Sequence, residues 1–328
     1  MQNKTYNTRA LVESSIMAAI LVVTMLISVY IPFISIVAYL VLPTPVALVY
    51  VRNGIKYAIA SLICGSLIGL FIMGPLNALQ LIIVAFFSGL TLGYCIRNNK
   101  KASRTFMYSS IAFMIIMIIN LFLITLFVYP NGFIGFIDSL IKTVNESVNI
   151  TKNMYLNMGM NKEEIEKVFS TIHLLDRNQI FFILPGILII TSLILAFLNY
   201  KITSSIFLRL KVKIDKLKGI TSFYIPTLIG AAMIILLCIG LIFKSRNMII
   251  GNYISTSTLV LIEIILMING IAALIYFLRH KLNFSNIFIV FTIILLLLAF
   301  KNIYIIIGLA ELIVDSRKLD PNRIRKIR

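Results

Sequence analysis

The sequence predicts an all-α, polytopic bundle of about nine or ten transmembrane helices, and two properties require it. First, 60% of the 328 residues are hydrophobic and only 13% are charged, whereas soluble chains carry roughly 45–50% apolar and about 25% charged residues. Second, apolar runs of about 20 residues recur along the chain, each long enough to cross a hydrocarbon core roughly 30 Å thick. The mean hydropathy of +1.00 agrees. A soluble enzyme, a secreted disulfide scaffold and a disordered tail protein are excluded.

Read in order, the spans fall near 10–30, 33–51, 55–73, 76–96, 106–128, 179–200, 222–243, 252–278, 284–300 and 302–316. The first follows Lys4 and Arg9 like a signal peptide, but its apolar core is longer than such a peptide's and no small-residue cleavage site follows, so it stays as an anchor. The second contains Pro43-Thr44-Pro45, which must kink or break a helix inside the membrane. Broken backbone is tolerated where it faces protein or lines a cavity. Both readings stay open, and Pro43 and Pro45 are therefore candidate binding-site residues. Gly65 and Gly69 in the third span, with Gly89 and Gly93 in the fourth, suit close helix approach within the bundle.

The segment 131–178 is expected on the external side as amphipathic helices. One piece runs Phe133 to Met154. A second starts at Asn161, with Glu164 completing a capping box, and buries Ile165, Val168, Phe169, Ile172 and Leu175 on one face. A cap over a ligand entrance and a lid over the helix ends fit equally. Residues 201–220 read as a basic linker, a cytoplasmic amphipathic helix with Ile206, Phe207, Leu210, Ile214 and Leu217 on its apolar side. The chain thus divides into a six-span membrane domain (1–200), this linker, and a four-span region (221–328) ending in a basic tail. Phe284 to Ser316 as a single helix is about 50 Å long, too long for one simple crossing. Lys301-Asn302 interrupts it, giving two short spans with a tight turn. One long tilted helix with an external tail is the alternative.

The formal charge of +18 is explained by topology. With the amino terminus in the cytoplasm, 22 Lys and Arg fall inside and 8 outside, as the positive-inside rule expects. This places a multi-pass protein in the cell membrane with both termini cytoplasmic. Nucleic acid is not expected as a partner, since no aromatic-interleaved basic module accompanies the charge. Cys64, Cys95 and Cys238 lie in separate spans, and His173 and His280 on opposite sides. No cluster with metal-ligand spacing exists, so neither a metal nor another cofactor is expected. Lacking a phosphate-cradling glycine loop and a nucleophile elbow, the chain does not read as an enzyme.

Arg9-Ala10-Leu11-Val12-Glu13-Ser14-Ser15-Ile16-Met17-Ala18-Ala19, Leu42-Pro43-Thr44-Pro45, Val51-Arg52-Asn53-Gly54-Ile55-Lys56 and the glycine-bearing fourth span resemble the YybS-like family of bacterial membrane proteins, a family of unknown function. The ending Gly308-Leu309-Ala310-Glu311 with Asp315-Ser316-Arg317-Lys318 is similar to that family's close. The family's six-span amino-terminal region resembles the substrate-binding S components of energy-coupling-factor (ECF) transporters. That resemblance implies a small-molecule binding or transport component and, as partner, a separate membrane coupling subunit with ATPases. It also implies a helix-docking face of small residues spaced by four on the first span, where Ser14/Ala18 and Ser15/Ala19 stand here. Four additional spans and the external segment depart from the S-component pattern.

Polar residues within the spans complete the candidates. Asn77, Gln80 and Asn120 lie where an S-component-like pocket opens. Glu263 lies midway along the eighth span, where an ionised acid costs roughly 2.5–3.5 kcal/mol. Glu311 lies in the last short span, with Lys301 at its start as a cation within reach of an acid. Two functions follow: a solute-binding or transport component, or a non-transporting scaffold of the cell envelope. A proton-coupled carrier using Glu263 is a third.

Overall fold

Prolines and glycines punctuate this chain, and in the computed structural model they mark where helices start and stop. The structure describes residues 8–162, 176–217 and 219–320, and these form twelve α-helices and one 3-10 turn, with no strand among them. The helices are α1 (Thr8–Tyr30), α2 (Pro32–Val41), α3 (Pro43–Asn53), α4 (Ile55–Met73), α5 (Pro75–Arg97), α6 (Ala102–Phe127), α7 (Gly132–Asn157), α8 (Arg177–Arg209), α9 (Thr227–Ser245), α10 (Ile249–His280), α11 (Asn286–Ala299) and α12 (Lys301–Val314). Pro32, Pro43 and Pro75 each stand in a first turn, where the missing N–H has no helical partner to lose. Gly54 joins α3 to α4 at φ +95°, a conformation that other residues rarely adopt.

Eight of the expected spans are helices long and apolar enough to cross a membrane, with α2 and α3 together making one of them. The last two differ from expectation. Residues 284–316 do form two helices, but each has only 14 residues, about 21 Å at 1.5 Å per residue, against a core roughly 30 Å thick. They meet at Phe300 with a bend of 110°. By length neither is a full crossing, and together they form a broken span or a re-entrant hairpin.

Two compact units emerge: residues 1–177 with 191–217, and residues 178–190 with 218–328. In the first, α1 packs on α4 and α3 on α5. A Cβ at Gly65 would meet Leu21 Cδ2 at 3.0 Å, and one at Gly93 would meet Tyr50 Cγ at 2.7 Å, so hydrogen side chains set both spacings. Leu21, Met25, Leu42, Val46, Val84, Phe113 and Ile116 form the core. α7 is amphipathic as expected; it buries Ile137 and ties Asp138 to Arg177 through a bidentate contact at 2.7–2.9 Å. Of the second amphipathic helix expected from Asn161 onward, Asn161 and Lys162 lie within the described residues; Glu164 and the apolar positions from Ile165 to Leu175 lie outside them.

The basic linker departs from expectation. Among the described residues there is no separate amphipathic helix: residues 201–209 continue α8, and 212–217 run without helix. Val212, Ile214 and Leu217 pack against a cluster holding Leu92, Ile96, Tyr200 and Phe207. Polar anchors explain why helix loses here. Tyr200 Oη donates to the Asp215 carbonyl at 2.5 Å, and the Asp215 carboxylate accepts from Ala102 N at 2.8 Å, occupying one of the orphan donors that open α6.

In the second unit α9 and α10 pack closely, and α12 lies on α10 with Gly270 and Gly308 at the contact. A Cβ at Gly270 would collide with the Tyr304 carbonyl, and one at Gly308 with the Leu266 carbonyl; backbone here touches backbone. The opening part of α8 carries Pro185, and the Ser257 hydroxyl of α10 enters the helical ladder beside it. It accepts from Gly186 N at 3.2 Å and donates to Phe182 O at 2.8 Å, which is how a helix tolerates an interior proline in lipid.

Candidate functional site

The sequence candidates separate by burial and partner. α1 divides its two small pairs. Ser14 and Ala18 are buried, and Ala18 O lies 3.3 Å from a Cβ at Gly65 on α4. Ser15 and Ala19 are exposed, together with Leu11, Val12, Ile16 and Ile20. Both serine hydroxyls bond back one turn, Ser14 to Ala10 O at 2.6 Å and Ser15 to Leu11 O at 3.0 Å. Neither is left to seek a partner, so what the exposed face offers is shape.

Beside that face lies a groove of about 960 Å³, lined by Thr8, Arg9, Val12, Glu13, Ile16, Met17, Arg52 and Asn53. Glu13 closes its floor, accepting from Arg52 Nη1 at 2.6 Å and from Asn53 Nδ2 at 3.0 Å. Arg52 occupies the last turn of α3, where the helix dipole favours a cation. Both partners are partly open to solvent, so the ion pair is worth about 0–1 kcal/mol. Its role is orientation: it fixes α1 against the end of α3.

Pro43 and Pro45 are fully buried, packed within the first unit. At the break they cause, α8 supplies Asn199 and Thr203, which stand one turn apart. Asn199 Nδ2 donates to Leu40 O at 2.6 Å, its Oδ1 accepts from Ser88 at 3.2 Å, and Thr203 meets Thr44 at 3.1 Å. No hydrogen bond joins Asn77, Gln80 and Asn120. Asn77 is exposed and donates to Met73 O at 3.4 Å, Gln80 is half-buried, and Asn120 Oδ1 is buried without a partner among the described residues.

The two acids diverge. Glu311 is buried and paired with Arg317, a residue that sequence reasoning assigned to a cytoplasmic tail. Arg317 Nε donates to Glu311 Oε1 at 2.8 Å, Nη2 to Asn269 Oδ1 at 2.9 Å and Nη1 to Thr221 O at 3.0 Å, while Ser316 donates to Glu311 Oε2. Lys301, the cation expected near an acid, is exposed and has no ion-pair partner among the described residues. α12 ends at Val314 with Asp315 in the left-handed conformation, and the turn that follows brings Arg317 to the acid instead. Asp320 adds a cap on α9, accepting from Thr227 N at 3.0 Å and from its hydroxyl at 2.6 Å. Glu263, by contrast, is exposed on α10 and makes no hydrogen bond or ion pair among the described residues. His, Cys, Asp and Glu form no group able to hold a metal among the described residues.

These features define a polytopic α-helical membrane protein, set in a lipid bilayer, whose polar side chains are concentrated at helix breaks. The chain belongs to the DUF2232 family: the family model described as "Predicted membrane protein (DUF2232)" matches residues 19–312. It is 23% identical over 283 residues to the "Uncharacterized protein YybS" of Bacillus subtilis (strain 168), covering 85% of this chain and 87% of that protein. No solved structure matches.

Proposed function

We propose that this protein is a solute-binding or transport component of the membrane, similar to ECF S components, that performs no chemistry of its own. In this reading it docks through α1 on a separate membrane coupling subunit that carries the ATPases. Both termini and the Arg9–Arg52 groove lie on the cytoplasmic side, following the distribution of Lys and Arg. The observation that carries the proposal is the division of α1. One small-residue pair is consumed by α4, and the other stands open beside a polar groove, as a helix does when a second helix must approach it closely.

Paired substitutions test it. Ala19→Trp on the open face should abolish co-purification with a coupling subunit while insertion and thermal unfolding stay unchanged. Ala18→Trp should instead destabilise the protein itself, since overpacking costs about 1–3 kcal/mol. A small molecule identified by mass spectrometry in the mildly solubilised protein would supply the substrate class. Undiminished co-purification of Ala19→Trp would remove the docking role.

A second reading, a non-transporting scaffold of the cell envelope, draws on a different observation. Asn199, Ser88, Thr44 and Thr203 at the proline break bond to protein, and Asn77, Gln80 and Asn120 share no hydrogen bond. Absence of any bound solute together with retained membrane partners would favour it.

A further inference from the structure

Glu263 stands near the midpoint of α10 (Ile249–His280), and no other charged residue occurs between Arg246 and Arg279. Its side chain is exposed on the surface of the protein. Its neighbours one turn away, Leu259, Val260, Leu266 and Met267, are apolar, so α10 supplies no internal partner. Nor do the packed helices. The titratable groups they carry are Cys238 and Lys244 on α9 and Lys301, Tyr304 and Glu311 on α12. Tyr304 donates to Ile293 O, and Glu311 is taken by Arg317.

We propose that Glu263 anchors a protein–protein contact inside the membrane, and that its partner is a transmembrane helix carrying a lysine or arginine at the same depth. Charge complementarity selects that occupant. An ionised acid and an ionised base at mid-membrane each cost roughly 2.5–3.5 kcal/mol on insertion scales, and pairing them offsets both costs at one site. The chain itself shows how it treats a retained acid: Glu311 is given a guanidinium, a hydroxyl and a backbone N–H. Glu263 is given nothing, and the exposed Leu259 beside it supplies apolar contact for an arriving helix. A second copy of this chain is the wrong partner for a symmetric contact through this helix, because α10 carries no Lys or Arg between Arg246 and Arg279 to meet Glu263.

This inference is independent of α1. A photo-crosslinking amino acid replacing Leu259 in the full chain, activated in native membranes, reads the contact directly. The expected result is an adduct with one membrane protein whose helix bears Lys or Arg at matching depth. Glu263→Lys should weaken that adduct about tenfold or more, the effect of about 1.4 kcal/mol, and exchanging the partner's cation for glutamate should restore it. Glu263→Gln, which removes the charge at nearly unchanged size, should leave insertion and unfolding temperature unchanged and so separates contact from folding. Ala19→Trp should leave the adduct intact. An adduct indifferent to Glu263→Lys, an adduct only with a second copy, a partner lacking a cation, or no adduct would each overturn the proposal.

Discussion

The two broken apolar stretches of this protein solve one problem in opposite ways. Between α2 and α3 the cause of the break is written in the chain as Pro43 and Pro45, the break is buried, and neutral groups bond at it: Asn199, Thr203 and Ser88. Between α11 and α12 there is no proline. The chain turns through 110° at Phe300, and the hairpin is held at its far end by the Glu311–Arg317 ion pair and at its middle by Gly270 against Gly308. A neutral amide and two hydroxyls suffice where the helix axis continues as a single span. Where the chain turns through 110°, a charged pair is buried together with the Ser316 hydroxyl, the Asn269 amide and the Thr221 carbonyl as partners. The contrast is between a kink that neighbours repair and a reversal that must be fastened.

Removing the fastening should have the largest effect. Arg317→Leu leaves Glu311 buried without its cation, and breaking such a pair costs about 3–5 kcal/mol. Denaturant unfolding of the purified protein in detergent should show that loss. Replacing both members, Glu311→Leu with Arg317→Leu, should recover most of it, because an apolar pair of similar size is often neutral or better. If the single and double variants unfold alike, the ion pair does not hold the hairpin.

The neutral repair should be cheaper to lose. Asn199→Leu strands the Leu40 carbonyl and the Ser88 hydroxyl, a penalty of about 1–3 kcal/mol for buried polar groups left unpaired. The same unfolding measurement should place it clearly below Arg317→Leu. A cost equal to or above that of Arg317→Leu would reverse the ranking of the two breaks.

The smallest effect should come from the groove beside α1. Arg52→Ala removes a partly solvated ion pair with Glu13, worth about 0–1 kcal/mol, so unfolding should move little. Orientation of α1 should suffer instead, and co-purification of any α1 partner should fall while stability stays within that range. A large loss of stability would show that the pair is structural.

Much of this architecture was legible because length and apolarity are one-dimensional quantities. Eight spans, the Pro43 break, the amphipathic α7 and the interruption near Lys301 all follow from runs, spacings and punctuation. The errors arose where a residue's role depends on a distant element. Residues 210–217 have the period of an amphipathic helix, yet Tyr200 and Asp215 pin 212–217 without helix against α5 and α6. Arg317 carries the composition of a topogenic tail and becomes a buried cation only because α12 returns beside α10. Gly308 and Glu311 stood in the same resembling stretch, and an acid six residues before an arginine was the available signal. Asn199 and Thr203, one turn apart at the edge of a span, looked like ordinary boundary residues; only the α2–α3 break gives them work. Of the α1 pairs, spacing identified both, but facing α4 is a property of the fold and not of the spacing.

The Arg317 latch also sets an order of assembly. Thr221 and Asn269 leave the ribosome well before Glu311, and Glu311 leaves before Arg317. Until Arg317 emerges, Glu311 on α12 has no counter-charge, and the Gly270–Gly308 contact is left to hold the hairpin against α10. The second unit therefore closes last-in, with its final fastener drawn from beyond its last helix.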